Sequence, residues 1–300
     1  MKRNLLAMAV LLAALNGCSK QEPVELNLDG LKNMTYAGVA EQDPVTLKDG
    51  VWEGEPAVAG GASRPTVRFV RNFQVMGDLD GDGVEEAAVL LAAGSGGTGE
   101  NIYLAVVGLK EGALKNLGTV LVGDRVQVRK AGIGEGRVFL DLLRAGPEDA
   151  LCCPGELVML AWRLENGALE PTGAASAVRR LDFEAIADSE WVLRWWNLEE
   201  AAPVEPEVTL VYSEGRLSGN SGCNNWFTAP ELGEQPGEFT TGPTGGTMMM
   251  CPAEVMEVEQ RFLGQLGDAT KFGFLAGMLA VTYEVEGEHG LMLFEERKLK

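Results

Sequence analysis

The run Asp78-Leu79-Asp80-Gly81-Asp82-Gly83-Val84-Glu85-Glu86 spaces its oxygens for holding a hard cation. Carboxylates at alternate positions, a glycine after the third of them, a backbone carbonyl from Val84 and the acid Glu86 form the oxygen-rich set that Ca²⁺ prefers. Alternation places three carboxylates inside one tight loop, and Gly83 supplies the sharp turn. The place of an EF-hand's closing bidentate glutamate falls on Val89, and Ala87 to Ala92 has the character of a strand instead of a helix. The expectation is a weak, structural Ca²⁺ site on a β-protein loop, built from Asp78, Asp80, Asp82, Val84 and Glu86. A metal-free acidic hairpin turn is the alternative.

The other chemistry-bearing residues point to fewer reactions. Gly94-Ser95-Gly96-Gly97-Thr98-Gly99 fits a dinucleotide pattern, but that pattern works only where a helix begins. Asn101 to Val107 is another strand, so a hairpin loop is expected and nucleotide binding is not. Cys152, Cys153, Cys223 and Cys251 permit three connectivities. Cys223 and Cys251 fall in the same unit, which makes their pairing the economical expectation, while a bridge between adjacent Cys152 and Cys153 would be strained. No C-x-x-C spacing suggests a redox motif or a zinc site. Cys251 does stand beside a helix start at Pro252, where a thiolate is favoured. His289 is the single histidine and falls between two strands, as a turn residue would. Ser221 lacks the flanking spacing of a nucleophile elbow. Met248-Met249-Met250, beside Cys251, is expected to fill a core.

Composition sets the partners. The 300 residues are 46% hydrophobic, enough for two ordinary cores, and carry 44 Asp and Glu against 25 Lys and Arg, a net charge of -19. A basic face for nucleic acid is not expected. At the start, Lys2 and Arg3 precede the apolar run Leu5 to Leu15, which is too short to span a bilayer. It ends in Leu15-Asn16-Gly17-Cys18, which resembles a bacterial lipoprotein signal. That resemblance implies cleavage after residue 17 and lipidation of Cys18. Ser19 then favours the outer membrane, with the protein facing the periplasm. Acyl chains, not charge, would hold so acidic a body to a membrane.

The elements that must position these residues form two β-rich domains. Residues 18–27 are a polar tether. Residues 28–170 show short apolar runs divided by Gly, Asp and Pro: Thr66 to Val70, Ala87 to Ala92, Ile102 to Val107, Arg125 to Val128, Arg137 to Leu142 and Leu157 to Leu164. No sustained helical periodicity occurs there. Residues 171–181 are expected to link this domain to a second over 182–298. The second is expected to be α+β, with one helix from Pro252 to Leu266 on an antiparallel sheet. Val255, Phe262, Leu263 and Leu266 give that helix an apolar stripe, and Gly267 ends it.

In the second domain, Ser218-Gly219-Asn220-Ser221-Gly222-Cys223-Asn224-Asn225, Thr247-Met248-Met249-Met250-Cys251 and Glu257 to Leu266 resemble the META/HslJ family. The resemblance implies a small β-rich fold with one helix, usually in an envelope lipoprotein, linked to heat shock and antibiotic tolerance without an established catalytic activity. Gly77 to Leu91, Gly123 to Val126 and Cys152-Cys153-Pro154 resemble a segment of bacterial lipoproteins of unknown function. The functional expectation is a non-enzymatic, lipid-anchored periplasmic protein with an envelope-stress or stabilising role and an unidentified envelope protein as partner. A calcium-dependent binding or adhesion module, or a thiol-dependent enzyme, are the alternatives.

Overall fold

The computed structural model describes residues 25–40, 43–56, 60–172 and 178–298. Cys18, the leader and the tether to residue 24 lie outside the described residues, as does 173–177 of the expected linker.

The apolar runs of the N-terminal unit build two antiparallel sheets. In the first, β1 (Val51–Glu53), β2 (Thr66–Gly77), β3 (Glu86–Gly94), β4 (Asn101–Lys110) and β5 (Ala113–Asp124) pair in chain order. In the second, β6 (Gln127–Gly134), β7 (Arg137–Arg144), β8 (Glu156–Glu165) and β9 (Ala168–Pro171) do the same. One face of the first sheet packs on the second, with Ala88, Leu90, Leu104 and Val106 against Val138, Leu140, Leu142 and Trp162. The opposite face, with Ala87, Val89, Leu91 and Val107, lies under Leu31, Tyr36, Val45 and Leu47. Successive side chains of a strand point to opposite faces, so a strand covered on both sides needs an unbroken apolar run. That is why Ala87 to Ala92 lacks alternation.

The cover is partly helical. The helix α1 (Leu28–Lys32) is capped by Asn27, whose side chain accepts from Gly30 N at 2.9 Å, and buries Leu31. Five residues are too few for periodicity to register, so the sequence gives no sign of α1. Strand β5 also goes unseen in the sequence, because this edge strand is half exposed and mixes Lys115, Asn116 and glycines among its apolar residues.

The C-terminal unit is a nine-stranded antiparallel sheet holding one packed helix. Its main strands are β10 (Ser189–Trp196), β11 (Thr209–Ser213), β12 (Arg216–Asn220), β13 (Asn225–Thr228), β14 (Ala269–Leu275), β15 (Met278–Val285) and β16 (Glu288–Lys298). In space they run β13-β12-β11-β10-β16-β15-β14. The helix α2 (Ala253–Gly267) sits one residue later than expected: Pro252 is its N-cap, Gly267 its last residue and Asp268 its C-cap. Phe262 and Leu266 enter the core, where the Phe262 ring stands 5.3 Å from that of Trp226.

The two units are stitched together. Leu143 and Leu157, from β7 and β8, belong to the C-terminal core. Arg179–Arg180, inside the expected linker, pairs with Glu156 and Leu157 as an added edge strand. Phe274 N donates to Gln127 Oε1 at 2.9 Å, Gly277 N to Val128 O at 2.9 Å, and Lys130 Nζ pairs with Glu296 at 2.6 Å.

Candidate functional site

The acidic loop joins β2 to β3 at one end of the sandwich. Gly81 and Gly83 adopt φ of 81° and 85°, a left-handed backbone that side chains rarely accept. This coils the loop so that its carboxylates grip its own amides. Asp78 accepts from Gly81 N at 2.7 Å and Gly83 N at 3.0 Å, Asp80 from Asp82 N at 3.1 Å, and Asp82 from Val84 N at 2.8 Å. Asp78, Asp80 and Glu86 bring carboxylate oxygens within 4.8 Å of one another. Asp82 turns instead to Lys110, whose Nζ reaches Asp80 Oδ2 at 3.1 Å and Asp82 Oδ2 at 3.2 Å. The Val84 amide and then Lys110 hold the Asp82 carboxyl below its ordinary value, while Asp80 and Asp82 raise the lysine's. Val84 itself is exposed. Lys110 is invisible to motif reading because it arrives from β4, and only the pairing of β3 with β4 brings it over the loop.

The second cluster lies under α2. Asn224 N and Nδ2 donate to Glu259 at 2.8 and 3.0 Å, and Ser221 Oγ stands 2.5 Å from Glu259 Oε2. The Asn224 side chain also accepts from Met249 N at 2.7 Å and Thr247 Oγ1 at 2.8 Å, and donates to Met249 O at 3.2 Å. Cys223 and Cys251 form a disulfide beside it, as the economical pairing anticipates. Burial pushes the Glu259 carboxyl up, but Ser221 and Asn224 outweigh it and leave it below the usual range. Ser221 is fully buried, so its hydroxyl is engaged in holding the fold. Sequence reasoning misses Glu259 as a structural hub; the available sign was a charged residue on the stripe of Val255, Phe262 and Leu266.

Met248, Met249 and Met250 do not fill a core: they are 98%, 57% and 96% exposed. Asn224 and the disulfide hold the backbone of this segment, which leaves the methionine side chains facing outward. Cys152 and Cys153 are free thiols with sulfurs 2.7 Å apart. Their loop is fixed by Asp149, which accepts from Gly146 N, Gly155 N and Arg180. The Cys152 thiol, and then Lys271 of β14, lower the Cys153 thiol below its ordinary value. His289 stands exposed on β16, 3.7 Å from Glu284. The glycine run 94–99 joins the antiparallel strands β3 and β4, and a strand, not a helix, follows it.

The fold and these clusters define a two-unit β protein whose recognisable motifs in the C-terminal unit knit a loop, a disulfide and a helix together. Residues 184–298 match the META domain family, so the chain carries a META domain there. No curated protein matches the chain. Among solved structures it is similar to a protein from Burkholderia xenovorans determined by NMR, at 22% identity over 43% of this chain and 98% of that one, with a TM-score of 0.31.

Proposed function

We propose that the protein is a non-catalytic lipoprotein of the bacterial envelope, held to the outer membrane through acylated Cys18 and acting by binding and stabilising an envelope partner. The observation that carries this reading is the Cys223–Cys251 disulfide at the centre of the META unit. Structural disulfides persist in oxidising compartments and are rare in reducing ones, so the bridge supports export. The leader ending at Cys18 supports the anchor. The same bridge removes Cys251 as a free nucleophile, which counts against the thiol-enzyme alternative. Ser221 and Glu259 satisfy each other in the interior, an arrangement suited to rigidity. The net acidity supports a protein or lipid-anchored setting over nucleic acid, and the hairpin at 94–99 gives a nucleotide no helix N-terminus to bind.

Fractionation of cells expressing wild type and Cys18→Ser tests the anchor. Wild type sediments with membranes and needs detergent for release, whereas the variant is recovered without it. Equal partitioning of both proteins contradicts the reading.

A further inference from the structure

We propose that the β2–β3 loop is a calcium site whose inner ligand is Glu86, flanked by Asp78 and Asp80, with Lys110 as a built-in competitor for the outer carboxylates. The proposal does not depend on the lipid anchor.

Acidic turns are common, and the aspartates alone would show nothing. Glu86 sets this loop apart. It is 0% exposed, its Oε2 accepts from Leu79 N at 2.9 Å, and its buried Oε1 has no hydrogen-bond partner. Its carboxylate nevertheless converges with those of Asp78 and Asp80. A buried anionic oxygen without a partner is costly, and neighbouring carboxylates make it more so. A cation bound between the three carboxylates relieves such a group. Lys110 serves the outer pair, Asp80 and Asp82, and its hydrogen bonds stop there.

The opposite wall keeps the space open. A Cβ at Gly108 of β4 would touch Glu86 Oε1 at an ordinary contact distance of 3.5 Å and clash with Leu117 Cδ1 at 2.7 Å, so the bare glycine leaves the carboxylate its free side. The ligand chemistry is all oxygen, on a loop whose aspartates are already oriented by backbone amides. Such a set suits Ca²⁺, which tolerates irregular geometry and carboxylates, better than Mg²⁺, which demands a near-ideal octahedron. The Asp80 carboxylate is common to the lysine and to the site, so Ca²⁺ competes with the ammonium for it, and affinity falls by that competition.

Thermal denaturation of the full-length protein with CaCl₂ or MgCl₂ at constant ionic strength tests this, using wild type, Glu86→Gln and Lys110→Met. A ligand that binds only the folded state raises Tm. In wild type, millimolar Ca²⁺ raises Tm by several degrees and Mg²⁺ does so less. In Lys110→Met the same rise appears at several-fold lower Ca²⁺. Glu86→Gln, with Tm at or above that of metal-free wild type, loses the rise. If Glu86→Gln does not fold, the Lys110→Met titration decides alone. No rise in either wild type or Lys110→Met, or an undiminished rise in Glu86→Gln, overturns the proposal.

Discussion

Two adjacent thiols and two buried glutamates show how position sets residue behaviour. Cys153 has Cys152 and Lys271 to favour its thiolate, whereas the hydrogen bond with Cys153 raises the Cys152 thiol. The thiolate is the nucleophile, so iodoacetamide labels Cys153 first as pH rises, and Lys271→Met slows that labelling. Without reductant, the denatured protein takes label at Cys152 and Cys153 alone; after reduction Cys223 and Cys251 label too. Peptide mass spectrometry checks both statements, and label on Cys223 before reduction would contradict them. Glu259 and Glu86 have opposite signs. Hydrogen bonds lower Glu259 when folded, so its stabilisation is complete above the unfolded value of about 4.3 and is lost as pH falls through the lower folded value. Glu86 is raised when folded, so its contribution is present at low pH and is lost as pH rises through its folded value. In the absence of a cation, Glu86→Gln therefore gains stability relative to wild type toward neutral pH.

At the scale of elements, α2 is fastened to the sheet by a polar knot as well as by Phe262 and Leu266. Glu259→Gln leaves the Asn224 and Ser221 donors without their anionic acceptor and costs about 2 kcal/mol, and the acid-side loss of stability described above flattens in that variant. Asn224→Ala costs more, because it releases the helix and the 247–249 segment together. Denaturant titrations at pH 7 and pH 4 measure both, and a Glu259→Gln variant as stable as wild type at pH 7 would contradict the account. The helix was legible in the sequence because fifteen residues carry a full apolar stripe. Strands β3 and β8 were legible as apolar runs. Strands β5 and β14 were not: Lys115 and Asn116 interrupt one, and Thr270, Lys271 and Gly273 the other. The methionine triplet misleads because hydrophobicity indicates burial only when side chains, not backbone, face the protein. Three aspartates of the acidic loop and Glu86 were legible from spacing, but Lys110 and Gly108 belong to β4 and depend on strand pairing.

For the whole molecule, the chain joins a capped β sandwich to a META unit through shared core residues, an edge strand and the Lys130–Glu296 pair. The Arg129 guanidinium, donating to Ala185 O and lying 5.9 Å from the Phe274 ring centre, adds to the same joint. Among the described residues no helix is long and apolar enough to cross a membrane, and a sequence of net charge -19 gains nothing from an anionic lipid surface. On the proposed reading, membrane residence comes from covalent acyl chains on Cys18, with stable attachment requiring more than one of them. The direct measurement is the mass of the N-terminal peptide of the protein recovered from envelope membranes. The account predicts a peptide that begins at Cys18 and carries acyl chains on that residue; a peptide that begins at Met1, or an unmodified Cys18, would contradict it.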